Sequence, residues 1–193
     1  MIVTISGPMH CGKTALAKAL VRHYHSTYRK PMAAQLRDLL EQYQLKENRE
    51  NLQTIGHGLR QCDPDVWVNA WIRDNSFLAH GNLVVIDDAR YQNEVDLGDI
   101  NVILKLNSVE QQYSRYETSD KFDPTITQVD WNNSREHATE KQTLVPTAPV
   151  VAVVDTTSKS AQQVFEEVHY NIDARIEEPA RDRDEWRQGA MNG

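Results

Sequence analysis

Residues 7–14 read GPMHCGKT, and few tasks need two glycines, a lysine and a threonine at that spacing. Gly7 and Gly12 permit backbone angles and a close approach that side chains would forbid. The amides of such a loop, with the N-terminus of a helix behind it, converge on one spot and suit a polyphosphate. Lys13 adds a mobile positive charge toward the β- and γ-phosphates, and Thr14 a hydroxyl for Mg²⁺. A second constellation, VVIDDARYQNE (residues 84–94), puts two carboxylates after an apolar run. An Asp at the end of a buried strand fits the metal-side carboxylate that partners a phosphate loop, with Asp87 first in line and Asp88 next. Arg90 carries a fork of donors able to grip a phosphate, or it pairs with Glu94 one helical turn on.

The flanking elements must position these groups. Residues 2–5, IVTI, have the apolar run of a short buried strand, and from Lys13 the period changes. Leu16, Ala19, Leu20 and Tyr24 then recur at helical spacing. Strand, glycine loop, helix is the context the motif requires. Helices are expected over Ala33–Tyr43 and Asn51–Arg60. Another should follow CDPD, with Asp63 as its cap, Pro64 at its first helical position, and Trp67, Trp71 and Leu78 on its packed face. LVVID (83–87), VILKL (102–106) and VVAVV (150–154) read as inner strands of a parallel sheet. A closing helix spans Ser158–Tyr170. Alternation of helices and buried strands predicts a three-layer α/β fold with a parallel sheet, its ligand at the carboxyl ends of the strands. One domain, residues 1–170, is expected, with a helical acceptor region near 33–80. A lid-like polar insert covers about 107–149, where Asn133 and Glu136 would cap a short helix. The last stretch, 171–193, is charged and reads as a solvated helix or a loose tail.

The chain has 193 residues, 39% of them hydrophobic and 25% charged, enough for one packed core. A formal net charge of −7 argues against stable nucleic-acid binding but not against an anionic ligand in a local pocket. No apolar run is long enough for a membrane span, and the N-terminus lacks a signal peptide's basic leader, so cytosol is the default expectation. Cys11 and Cys62 form neither a metal spacing nor a disulfide framework.

Several segments together resemble the bacteriophage deoxynucleoside monophosphate kinases, a branch of the P-loop nucleotide kinases. They are GPMHCGKT, LQTIGHGLRQCDPDVWV, VVIDDARYQNEVD, HATEKQTL and VVAVVDTTSKSAQQVFEEV. RKPMAAQLRDLL matches the family's early acceptor segment approximately, with Arg37 where a lysine stands. The resemblance implies Mg²⁺-dependent transfer of the γ-phosphoryl of ATP to a deoxynucleoside monophosphate, in the host cytoplasm if the chain is phage-encoded. ATP would lie over Gly7–Thr14, touching His10, Cys11 and Gly12, with Mg²⁺ on Thr14 and Asp87 or Asp88. Arg37, Arg60, Asp63, Trp67, Asp88 and Arg90 would line the acceptor side, and His137 and Glu140 match the lid element. Lys13, Arg60, Asp88 and Arg90 would act on the transferring group, with Arg115 and Arg135 closing from the lid. A homodimer is left open.

Overall fold

The computed structural model of the chain describes residues 1–120, 122–135 and 144–177. Five parallel strands run in the order β2-β3-β1-β4-β5: β1 (Ile2–Ser6), β2 (Thr27–Arg29), β3 (Leu83–Ile86), β4 (Ile100–Lys105) and β5 (Val150–Asp155). The helices are α1 (Lys13–His23), α2 (Ala33–Gln42), α3 (Arg49–Cys62), α4 (Val66–Asn75), α5 (Gln92–Val95), α6 (Val109–Glu117), α7 (Gln128–Arg135) and α8 (Ala161–Glu177).

Period-two alternation splits the inner strands between two cores. Val3, Ile5, Val85, Val102 and Leu104 face one side, where α1 (Leu16, Leu20) and α8 (Val164, Val168, Ile172) cover them. Ile2, Val84 and Ile86 face the other, against Met32 and Leu36 on the α2 side, Trp67 and Trp71 of α4, and Val95 of α5. The three-layer P-loop nucleotide-binding fold expected from the sequence is therefore present, with helices on both faces of a parallel sheet.

The structure differs from the sequence pattern, or adds to it, at several local points. β5 is an edge strand rather than an inner one. Its valines alternate, Val153 half exposed and Val154 fully buried, which an unbroken VVAVV string hides. Strand β2 had no counterpart in the sequence reading, because three residues are too few to show a period. Helix α4 starts at Val66 with Asp65 as its cap, while Asp63 ends α3 and receives the Asp65 amide at 2.9 Å. In the polar insert, α6 and α7 both form. Asn133 lies inside α7 rather than capping a helix, and Thr127 accepts the Asp130 amide at 3.2 Å instead. Glu136 lies outside the described residues. Helix α8 runs on to Glu177, so the first residues of the expected tail are helical and the remainder falls outside the description.

The insert is less polar in space than along the chain. Tyr113 and Tyr116 of α6 and Trp131 of α7 gather over Met9 of the glycine loop as a small third core. Among the described residues no helix is long and apolar enough to cross a membrane.

Candidate active site

The carboxyl ends of β1, β2 and β3 meet at residues 7–14, Arg29 and Asp87–Arg90, and the site is built there. Gly7 (φ +143°), His10 (+57°) and Gly12 (+101°) carry the backbone through positive φ, which turns the loop's amides inward. Helix α1 begins directly after Gly12 and has no acidic residue in its first turn to oppose an anion. The Lys13 side chain is 8% exposed, and its amine donates to the Gly7 and Pro8 carbonyls at 2.7 and 2.6 Å. Cys11 is buried under the loop, its sulfur 3.8 Å from the Lys13 amine. The His10 ring stands 5.3 Å from Tyr116, joining the loop to α6.

Asp87 follows β3 and is 1% exposed. Its carboxylate accepts the Thr14 hydroxyl at 2.8 Å and the Arg29 Nε at 2.8 Å. A hydroxyl whose proton is committed to a carboxylate keeps its lone pairs for a cation, so this hard-oxygen pair fits Mg²⁺ beside bound phosphates. Asp88 has a different task. It accepts the amides of Met32 and Ala33 at 2.7 and 3.0 Å, capping α2 from a strand end. Burial pushes the Asp88 carboxyl above the ordinary aspartate range, and the two amides and the Arg90 charge offset part of that rise.

Among the arginines expected on the acceptor side, two are turned to glutamates. Arg37 pairs with Glu47 at 2.8 Å in an exposed contact. Arg60 forms a short ion pair with Glu94 and lies 3.9 Å over the Tyr91 ring. Glu94 thus takes Arg60, together with the main-chain amides of Arg90 (2.7 Å) and Tyr91 (3.2 Å). The Trp67 indole donates to the Gly56 carbonyl at 3.1 Å and packs in the core. Asp63 is exposed at the α3–α4 junction. At the end of α7, the Arg135 Nε donates to Gln112 at 2.7 Å and its guanidinium lies over Trp131. Arg115 bonds Thr156 Oγ1 at 3.1 Å and reaches the His10 carbonyl at 3.4 Å. A cleft of about 200 Å³ opens there, between Cys11, Gly12 and Leu16 on one side and Arg115, Thr156 and Lys159 on the other. His137 and Glu140 lie outside the described residues. Arg29 and Thr156 escaped the sequence reading. Arg29 is separated from Asp87 by 58 residues, and only the pairing of β2 with β3 brings them together.

Glu94 is 2% exposed, and burial raises its carboxyl above the ordinary value of 4.5 against the pull of Arg60 and the Arg90 amide. A raised folded value means the folded state binds that proton more tightly. The corresponding stability is complete below the unfolded value and is lost as pH rises through the folded one. The Glu94 hydrogen bonds work the other way, because truncation strands a guanidinium and two amides. Glu94→Ala is therefore expected to cost about 2–3 kcal/mol in a denaturant titration at neutral pH. Its stability should also fall less steeply than wild type as pH rises above 4.5.

The fold and the loop define a P-loop nucleotide-binding protein. A family model described as an AAA domain matches residues 3–140, and the chain belongs to that family. Among solved structures the chain is similar to a gluconokinase from Sinorhizobium meliloti 1021. The two share 18% identity at a TM-score of 0.51, over 94% of this chain and 96% of that one. That likeness is one of fold. A search of curated proteins finds no match.

Proposed function

We propose that the protein is an ATP-dependent phosphotransferase acting on a small acceptor, and that the acceptor is a deoxynucleoside monophosphate. The observation that carries the first part is the Thr14–Asp87 contact beneath a glycine loop with three positive φ angles. The second part rests on the resemblance of LQTIGHGLRQCDPDVWV and VVIDDARYQNEVD to the phage kinases.

In this reading the loop amides and Lys13 hold the tail phosphates of ATP. Thr14 and Asp87 would hold Mg²⁺, which when bound neutralises phosphate charge. Lys13 gathers charge spread over the transferring group, the largest contribution available where the protein supplies no covalent chemistry. An acceptor phosphate is already ionised at neutral pH, so no general base is required. The cleft between Cys11 and Thr156 is open to the base of ATP, and Arg115 joins it to the lid. Asp88 acts by fixing α2 against the β3 end, and Arg60 by bracing the Arg90–Glu94 turn. Arg90 follows Asp88 on the acceptor side.

A second reading, transfer to another small acceptor, is favoured by the likeness to a gluconokinase. The two part in one assay. Purified protein, ATP and Mg²⁺ are incubated with deoxynucleoside and ribonucleoside monophosphates, nucleosides and gluconate, and ADP and phosphorylated product are followed together. Diphosphate from a deoxynucleoside monophosphate is the expected result. Product only from a nucleoside or gluconate moves the protein to the second reading. ADP with no phosphorylated acceptor would instead mark a non-transferring ATPase or a packaging-type motor.

A further inference from the structure

We infer that Arg29 is the anchored arginine that reads the acceptor's phosphate, a role that rests on the proposed monophosphate acceptor. Four hydrogen bonds hold the segment that carries it. The Lys30 amide donates to the Val85 carbonyl at 2.9 Å, the Trp71 indole donates to the Lys30 carbonyl at 2.9 Å, and Asp88 holds the Met32 and Ala33 amides. Arg29 itself ends β2 at the carboxyl edge of the sheet, next to the strand that delivers Asp87.

Its Nε is committed to the buried Asp87 carboxylate at 2.8 Å, which fixes the plane of the guanidinium. The side chain remains 34% exposed, and its terminal amines make no other hydrogen bond among the described residues. A guanidinium held by Nε presents its two terminal N–H groups as a fork on the far edge, the geometry that takes two oxygens of a phosphate. Two of the arginines first expected on the acceptor side are engaged by glutamates, Arg37 by Glu47 and Arg60 by Glu94. Arg29 is oriented by an acidic partner yet keeps its outer donors. It also stands between the metal-side carboxylate and an incoming phosphomonoester, and so relieves the repulsion between two anions.

The test is calorimetric titration with deoxynucleoside monophosphates, and separately with ADP without magnesium, for wild type, Arg29→Gln and Arg29→Lys. ADP reports a folded loop that does not depend on Asp87 as a metal partner. Arg29→Gln should weaken monophosphate binding about tenfold or more and leave ADP affinity within about twofold. Arg29→Lys keeps the charge without the fork and should fall between, which also guards against a folding failure of the glutamine variant. Equal monophosphate affinity in wild type and Arg29→Gln would overturn the assignment and leave the kinase reading standing. A wild type that binds no monophosphate but phosphorylates a neutral acceptor overturns both the assignment and the monophosphate acceptor, while phosphotransfer survives.

Discussion

Lys13→Ala is expected to lower phosphoryl transfer by on the order of 10²–10³-fold, the cost of removing one preorganised donor from a developing charge. The charge is well placed for that role. Lys13 is the first residue of α1, its side chain is almost wholly enclosed, and its amine is pinned to the carbonyls of Gly7 and Pro8. Those bonds hold the ammonium at the mouth of the loop, where tail phosphates would replace or share its partners. Losing them leaves two loop carbonyls to water, a stability cost of about 1–2 kcal/mol. The variant should therefore remain folded, with a modestly lower midpoint in urea, while turnover with saturating acceptor all but disappears. Kinase activity close to wild type in a folded Lys13→Ala protein would remove this residue from the mechanism.

Gly7→Ala should be the more disruptive change for the molecule as a whole. A β-carbon at that position would lie 2.3 Å from the Leu104 carbonyl oxygen and 2.9 Å from the Cys11 sulfur, at a φ of +143°. Leu104 belongs to β4, an inner strand hydrogen-bonded on both sides, so it has no room to retreat. The loop must give instead, at about 2–4 kcal/mol, and its amides turn away from their common focus. Gly12→Ala is the informative partner. Nothing lies within 4 Å of its β-carbon, so only its positive φ of +101° opposes the change, at about 1–2 kcal/mol. Chemical denaturation of both variants, with ATP titrations alongside, should rank Gly7→Ala well below Gly12→Ala in stability. Similar losses for the two would mean that contact with Leu104 does not set the loop.

Arginines show best how partners in space differ from partners along the chain. Arg60 and Arg37 read along the chain as acceptor-side groups, and in the structure each pairs with a glutamate. The i,i+4 spacing invited an ion pair between Arg90 and Glu94; in the fold Glu94 takes the Arg90 main-chain amide and the guanidinium of Arg60, from a helix 34 residues earlier in the chain. Asp88 reads along the chain as a second metal or acceptor carboxylate. In space it lies under the amides that begin α2, because the β2–α2 junction crosses directly over the end of β3.

The phosphate loop, β1, α1 and the LVVID strand were legible from residue order, since each depends on local geometry: a glycine's tolerance of positive φ, a helical period, an unbroken apolar run. Sheet order was not, and it decided the rest. It placed VVAVV at an edge, added the three-residue β2 beside β3, and chose Asp87 over Asp88 as the partner of Thr14 and Arg29. Charged side chains find partners by distance in space, and short strands form because a neighbour offers them hydrogen bonds. Neither leaves a period in the chain, so both exist only once the layers are packed.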